Sequence, residues 1–504
     1  MASSSRTRVV LLALALAALA TSGLAARSES AAAEIQVQLG DLLFRETRYT
    51  EAIEAYERAW AHGSRTVRVR AGRGLSRTLV RVAEFRRARE VAGQLVALAP
   101  RDAEAQAIYG DALWAAGLFD DAEARYRDAR SIAPDLPRAL CGLARALASR
   151  NRLGEAVDAA AAAVAADPRE PEYHHALGFV QERARRYAEA AVAYANYINL
   201  LPNRDRSDKV LWARQQVRFL KSFGTEPPLQ IAGDGPDLVH TMSFRLVRDK
   251  VVVPGRINGG PAVDFVLDTG SELAVVSKKV AERFGVRPLV YTLSAGVGQA
   301  GLRGLQLGRM DSLRIGTLEI TDVPTLIKNP PLRDLPTREA ESFSPVAFGL
   351  SAHIDYRRQV LTLARRLPET EVEVELPLRT HRLATVRGVV NGESQVPFVV
   401  DTGGEVISIS RTTLQQMPPV APVRRIALKV YGASGWDPDA FLLPGVHLAF
   451  AQVQLPNQPV VVLNLDAPSV LLGYDLGGIV GHRFLSRYTV DIDLERSVLR
   501  LSRS

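Results

Sequence analysis

Cysteine is almost absent from this 504-residue sequence, and Cys141 is its single example. An internal disulfide is therefore excluded, and packing must supply the stability that cross-links would otherwise provide. Cys141 lies in a helical stretch, where a lone thiol is expected to be a small buried side chain.

Lysine is also scarce, since only seven lysines occur among the 63 basic residues. Arginine thus supplies most of the positive charge behind the formal net charge of +8. These arginines alternate with Glu and Asp, and no long basic run occurs. This pattern favours a solvated arginine-rich surface over a nucleic-acid-binding patch.

No apolar run reaches the roughly twenty residues that a membrane-spanning helix needs. Val9–Ala20 is apolar over twelve residues, follows Arg6 and Arg8, and precedes the small-residue site Gly23-Leu24-Ala25. These features predict a signal peptide over residues 1–26. We expect an exported bacterial protein, periplasmic or extracellular, with a retained N-terminal membrane anchor as the alternative.

Serine–histidine–acid sets, zinc-ligand spacings and phosphate-binding loops do not occur, so no metal or cofactor is predicted. The glycines Gly296, Gly298 and Gly301 match the spacing of a dinucleotide-binding loop. Such a loop opens a helix, whereas residues 302–316 carry further glycines and indicate strand. No nucleotide is therefore expected.

A repeat of 34 residues runs through the N-terminal half. Prolines recur at positions 100, 134, 168 and 202, and an alanine stands twelve residues before each. Gly110 matches Gly178, and Tyr126 matches Tyr194. These residues resemble the tetratricopeptide repeat family. The resemblance implies an all-α solenoid over residues 33–223, including a capping helix.

The concave groove of such a solenoid usually binds a peptide or partner protein. A spacer role is the alternative. Helix-breaking prolines and glycines then predict a linker over residues 224–239. Beyond it, short apolar runs separated by glycine and asparagine turns predict mainly β structure.

The C-terminal half contains a duplication. Residues 256–277 align without gaps to residues 389–410, so that Asp268-Thr269-Gly270 matches Asp401-Thr402-Gly403. A second block, residues 354–363, matches residues 492–501. The duplication predicts two lobes, over residues 240–366 and 371–504.

Two Asp-Thr-Gly motifs, each closing an apolar strand of a duplicated unit, resemble the retropepsin and pepsin family of aspartic proteases. The resemblance implies an all-β bilobal domain in which Asp268 and Asp401 form the catalytic pair within one chain. Two adjacent carboxylates share one proton, so that one acts as general base and the other as hydrogen-bond donor.

The same resemblance implies that hydroxyls of Thr269 and Thr402 join the two catalytic loops, while Gly270 and Gly403 allow sharp turns. The next positions differ, with Ser271 in one lobe and Gly404 in the other. We expect the Ser271 hydroxyl to donate to Asp268 and favour its ionised form.

Two glycine-rich stretches correspond to the flaps that close over substrate in this family. Gly296, Gly298 and Gly301 form the first, and Tyr431, Gly432 and Trp436 belong to the second. We place Trp436 either over the substrate or in the core.

The loop that supports the active site differs between the lobes. Gly349 precedes Asp355 by six positions, whereas Gly481 precedes Asp493 by twelve. This predicts a shortened first lobe without the supporting helix.

The sequence therefore predicts an exported aspartic endopeptidase that cleaves a peptide or protein substrate. Its repeats would recruit that substrate or a protein partner through their groove. The alternative is a non-catalytic scaffold in which a degenerate protease fold binds peptides.

Overall fold

A computed structural model describes residues 31–201, 207–297, 302–328, 341–369, 372–418, 426–428, 430–432 and 435–503. The chain has a helical N-terminal half and a β-rich C-terminal half, as predicted. Residues 1–26 lie outside the described ranges, so the signal peptide stays a prediction. Among the described helices, none is both long and apolar enough to cross a bilayer.

The N-terminal half is a tetratricopeptide-like solenoid of consecutive helices that pack against their neighbours in the chain. The helices are α1 (residues 31–45), α2 (Tyr49–His62), α3 (Arg65–Arg81), α4 (Phe85–Leu98), α5 (Ala103–Ala115), α6 (Phe119–Ile132), α7 (Pro137–Ser149), α8 (Leu153–Ala166), α9 (Pro171–Arg183), α10 (Tyr187–Leu200) and α11 (Asp208–Lys221). Cys141 is buried within α7, as expected.

A glycine and a tyrosine that recur in the repeat pack closely together. We call the contact of the Tyr126 ring with Gly110 and Gly142 the packing lock. The ring of Tyr126 is fully buried between α5 and α7, and its hydroxyl donates to Asp111 at 2.9 Å. A Cβ at Gly110 would lie 2.5 Å from this ring, and one at Gly142 only 2.3 Å. Only a residue without a side chain lets the ring fill this space.

The C-terminal half consists of two β lobes. The first contains β1 (Gln230–Ile231), β2 (Val239–Ser243), β3 (Arg245–Val247), β4 (Lys250–Ile257), β5 (Ala262–Leu267), β6 (Ala274–Ser277), α12 (Lys278–Arg283), β7 (Arg287–Ala295), β8 (Leu302–Ile315), β9 (Leu318–Lys328), β10 (Glu341–Phe343), β11 (Ser351–Asp355) and β12 (Val360–Ala364). Strand β1 lies within residues 224–239 and pairs with β9, so part of the sequence-predicted linker belongs to this sheet.

The second lobe repeats the plan of the first. It contains β13 (Val374–His381), β14 (Leu383–Val390), β15 (Ser394–Val400), β16 (Ser408–Ser410), α13 (Arg411–Gln416), β17 (Ile426–Ala427), β18 (Val430–Gly432), β19 (Gly435–Asp437), β20 (Phe441–Phe450), β21 (Val453–Leu463), α14 (Asp466–Leu472), β22 (Gly478–Val480), α15 (His482–Leu485), β23 (Tyr488–Asp493) and β24 (Val498–Arg503).

The second duplicated block joins the lobes. One antiparallel sheet contains β11 and β12, from the first copy of the block, and β23 and β24, from the second copy. In this sheet Ile354 pairs with Val490. Strand β2 adds to one side and β13 to the other. Backbone hydrogen bonds of this sheet therefore connect the two lobes.

The solenoid packs directly on the second lobe. Trp114 and Phe119 share an apolar cluster with Tyr474, and the rings of Phe119 and Tyr474 meet edge-on at 5.1 Å. Beside them the buried Arg379 pairs with Asp120 at 2.6 Å. A buried arginine needs such a partner, because an unpaired charge in this position would be costly.

The end of the solenoid packs on the first lobe. Tyr187 of α10 and Phe223 share an apolar cluster with Leu307 of β8 and Val290 of β7. The helices thus contact both lobes instead of holding them at a distance, which is not the arrangement expected of a spacer.

Replacing Gly142 by alanine tests the packing lock. The new Cβ would overlap the Tyr126 ring, so we expect Gly142→Ala to lower the free energy of unfolding by about 1–3 kcal/mol. Gly154→Ala is the matched control, because a Cβ there meets nothing within 4 Å. Urea unfolding followed by circular dichroism measures both, and equal stability of the two variants would contradict the lock.

Candidate active site

The two Asp-Thr-Gly loops meet between the lobes. Asp268 follows β5 and Asp401 follows β15, and both strands end in buried apolar residues. A Cβ at Gly270 would lie 2.5 Å from Cγ of Asp401, and one at Gly403 would lie 2.6 Å from Oδ1 of Asp268. Each carboxylate therefore lies against the glycine of the opposite loop.

Threonine hydroxyls hold the loops together. Thr402 Oγ1 donates to Leu267 O at 2.7 Å, and Thr269 Oγ1 donates to Val400 O at 2.6 Å. The backbone N–H of each threonine donates to the hydroxyl of the other, at 3.2 and 3.1 Å. Both side chains are buried, so these bonds form without competition from water.

Backbone amides hold the carboxylates, and they do so unequally. Oδ1 of Asp401 accepts from the N–H groups of Gly403 and Gly404, both at 2.8 Å. Oδ1 of Asp268 accepts from Gly270 N at 3.1 Å.

The prediction that the Ser271 hydroxyl donates to Asp268 is wrong. The Ser271 hydroxyl donates to Leu273 O at 2.9 Å instead. That carbonyl lies two residues ahead, and a serine side chain readily forms such a local bond to its own backbone. The asymmetry of the pair therefore has another cause.

The pKa of Asp401 is raised to about 7, and burial is the largest cause. The negative charge of Asp268 also raises this pKa, while the amides of Gly404 and Gly403 and the positive charge of Lys250 lower it. Two carboxylates that interact this strongly cannot both ionise readily. The shared proton therefore belongs mainly to Asp401 below a pH of about 7, and the pair titrates as a unit.

Lys250 is a site residue that the sequence reasoning missed. It begins β4, is half-buried, and its ammonium group donates to Gly403 O in the second catalytic loop. Comparison of the two lobes could not reveal it, because position 383 of the second lobe is leucine. Its rarity was the available signal, since few lysines occur in the chain.

The supporting loop of the first lobe is not shortened by six residues, as the sequence suggested. Strand β10 pairs with β5 as β22 pairs with β15, so that Phe343 corresponds to Val480. Ser344 is therefore the equivalent of Gly481, and Gly349 is not. Ser344 precedes Asp355 by eleven positions, close to the twelve of the second lobe.

The predicted absence of the supporting helix in the first lobe is confirmed. Residues 345–349 form turns, whereas α15 follows Gly481 in the second lobe. At the start of α15, His482 N donates to Gly404 O at 2.8 Å. The equivalent residue in the first lobe is Pro345, which has no N–H to donate.

The described parts of the two predicted flaps approach one another at Val297 and Gly432. Gly432 lies at the end of β18, and a Cβ there would be 2.3 Å from the carbonyl oxygen of Val297, next to Gly296. In the second flap Tyr431 pairs with Trp436 across β18 and β19. Trp436 is half-buried. Gly298 and Gly301 lie outside the described residues, so their role in the first flap stays a prediction.

Other acidic residues serve the fold. Asp493 is fully buried, accepts from Arg496 N at 2.9 Å and pairs with Arg500 at 3.4 Å. Asp355 accepts from Arg358 N at 2.8 Å in the equivalent turn. Within the described ranges, no group of three or more His, Cys, Asp or Glu side chains is placed to hold a metal ion.

Family comparisons agree with this division of the chain. The aspartyl protease family matches residues 253–340 and 386–476, one stretch in each lobe. Tetratricopeptide repeat families match residues 73–137 and 113–178. The C-terminal half thus contains an aspartyl protease domain, and the N-terminal half contains tetratricopeptide repeats. A search of curated proteins gave no match.

Solved structures similar to part of the chain include tetratricopeptide proteins. A thermophilic TPR protein of Thermus thermophilus has 22% identity and a TM-score of 0.32, over 38% of this chain and 98% of its own. PilF of Pseudomonas aeruginosa has 15% identity and a TM-score of 0.28, over 39% of this chain and 86% of its own.

Removing one hydroxyl of the threonine pair should loosen both loops. Thr402→Val leaves Leu267 O and Thr269 N buried without a partner, so we expect a loss of about 2–4 kcal/mol in unfolding free energy. Thr402→Ser keeps the hydroxyl and should lose only about 1 kcal/mol. Denaturant unfolding measures the difference, and similar losses for the two variants would contradict the hydrogen-bond account.

Replacing Lys250 by methionine removes a positive charge from the site. Since this charge lowers the pKa of Asp401, we expect Lys250→Met to raise that pKa above its value of about 7. Carbon-13 NMR of the Asp401 carboxyl group measures the titration. Lys278→Met is the control, because Lys278 is half-exposed and pairs with Glu282. An unchanged or lower pKa in Lys250→Met would contradict the proposed contact.

Proposed function

Because this chain joins tetratricopeptide repeats to an aspartyl protease domain, we propose that it is an exported aspartic endopeptidase. Asp268 and Asp401 would hydrolyse peptide bonds with an activated water molecule, without a metal or covalent intermediate. Support comes from the contact between the two loops, where each carboxylate lies against the other loop's glycine.

The unequal carboxylates give each one a role. Asp268, as the ionised member, accepts a proton from a water held between the pair, and the resulting hydroxide attacks the carbonyl carbon of the substrate. Asp401, as the protonated member, donates a hydrogen bond to the carbonyl oxygen, where negative charge develops. When the tetrahedral intermediate collapses, Asp268 transfers its proton to the leaving amine. The pair then again holds a single proton, on Asp401.

The protein around the pair favours this chemistry. Burial keeps Asp401 protonated up to a pH near 7, and the amides of Gly403 and Gly404 fix the direction of its carboxyl group. The threonine bonds hold the loops at one separation before substrate arrives, so little reorganisation is needed in the transition state. The two flaps, which approach one another at Val297 and Gly432, would exclude water from the cleft.

The remaining elements of the function are export and recruitment. Export is proposed from the charged and apolar residues before position 26. Recruitment of substrate or a protein partner is proposed for the repeats, since solenoids of this kind commonly present a concave binding surface. Their packing on both lobes would deliver a bound chain close to the catalytic loops.

A peptide-library cleavage assay between pH 4 and 9 tests the proposal. We expect cleavage by the wild type and a loss of at least about a thousandfold in Asp268→Asn and in Asp401→Asn, since each removes one half of a cooperating pair. The wild-type rate should fall above a pH of about 7, as Asp401 loses its proton. Asp355→Asn, in a turn outside the pair, is the control. Equal cleavage by all four proteins would refute the catalytic pair.

A further inference from the structure

A large chamber lies between the solenoid and the second lobe. Its volume is about 1560 Å³, and most of its wall is formed by the inner faces of the helices. The protease domain closes one side with the turn between β13 and β14 and with the end of α14. The chamber is therefore a composite of both halves of the chain.

The wall of this chamber is predominantly basic. Among the described residues, ten arginine and lysine side chains line it, against four carboxylates. All four carboxylates already have partners: Asp41 accepts from Tyr56, Asp111 and Glu172 each serve two basic residues, and Glu170 pairs with Arg77. Of the four, Asp41 has no basic side-chain partner among the described residues.

The excess positive charge can be located. Four lining arginines reach carboxylates behind the wall, namely Glu34, Asp102, Glu104 and Glu272. Among these described groups, ten positive charges stand against eight negative ones, an excess of two. The guanidinium groups of Arg45 and Arg169 are exposed and have no carboxylate partner among the described residues, although the backbone N–H of Arg169 donates to Asp167. These two arginines offer an anionic ligand its least costly contacts, because they lose no existing ion pair.

Apolar surface accompanies the charge. Aromatic side chains of the inner helix faces, including Trp114, Tyr173, Phe179 and Trp212, contribute to the wall. Aromatic surface interleaved with positive charge suits an extended polypeptide that carries both acidic and apolar side chains.

Arg382 connects the chamber to the catalytic loop. Its guanidinium lies over the Trp212 ring at 5.4 Å and donates to Leu471 O at 3.0 Å, and all three residues line the chamber. The same guanidinium pairs with Glu272 at 2.7 Å. Glu272 is four residues beyond Asp268, so the two lie within about 14 Å of one another even along a fully extended chain.

From these contacts we infer that the chamber is an extended substrate site that binds an acidic stretch of polypeptide flanking the scissile bond. The inference rests on the proposed function, since it names the substrate class of that same protease. A chain that leaves the catalytic cleft on the Glu272 side would pass Arg382 and enter the chamber. Arg45 and Arg169 would then bind its carboxylates.

Matched substrates test this inference. The core peptide is one that the wild type cleaves and Asp268→Asn does not. It is extended at either end by a glutamate-rich or a glutamine-rich octapeptide. We expect the glutamate extension on one end to lower KM about tenfold relative to glutamine, the combined effect of several screened ion pairs. The effect should weaken as ionic strength rises, while kcat stays similar.

Charge reversal locates the effect. The double variant Arg45→Glu, Arg169→Glu should lose the advantage of glutamate over glutamine. Arg58→Glu is the control, because Arg58 is exposed on α2 and outside the chamber wall. It should keep the full advantage. A loss in both variants would indicate a general charge effect and would overturn the chamber as the site.

The outcomes separate the two proposals. Dyad-dependent cleavage with equal KM for both extensions would overturn the chamber site and leave the protease intact. Absence of dyad-dependent cleavage would overturn the protease. Binding then decides the chamber alone: fluorescein-labelled glutamate octapeptide should bind Asp401→Asn protein about tenfold more tightly than its glutamine counterpart, as judged by anisotropy. Equal binding would overturn the acidic ligand.

Discussion

The contact between the two Asp-Thr-Gly loops is the constraint on which the rest of the protease half depends. Two neighbouring carboxylates repel one another unless they share a proton, so other contacts must hold the loops together. The crossed threonine bonds do this from below, and the sheet formed by β11, β12, β23 and β24 holds the lobes in register. Glycine at positions 270 and 403 leaves the space that the carboxylates occupy.

The two lobes support their catalytic loops differently. In the second lobe, helix α15 directs His482 N to Gly404 O, and the Gly404 amide reaches Asp401. In the first lobe Pro345 stands at the matching position and turns replace the helix. Lys250 breaks the symmetry further by donating to Gly403 O from the first lobe. The difference between the aspartates thus arises from loop support and charge.

The helices are part of the same mechanical unit as the lobes. One end of the solenoid packs on the base of the first flap through Phe223 and Leu307, and its middle packs on the second lobe through Phe119 and Tyr474. Arg382 then joins the inner surface of the solenoid to the loop that follows Asp268. A ligand bound by the helices would therefore contact residues that Arg382 links to the loop after Asp268.

The sequence by itself determined the repeats, the duplication and the identity of the paired aspartates, because each is marked by residues that recur at a fixed spacing along the chain. At Asn258-Gly259 and Asn391-Gly392 all four residues have positive φ, which fits the glycine and asparagine turns expected from the sequence. Tertiary structure decided what depends on distant segments: the partner of the Ser271 hydroxyl, the match of Ser344 to Gly481, the place of Lys250, and the composite chamber. Residues far apart in the chain meet in these features, and no spacing along the sequence encodes their distance in space.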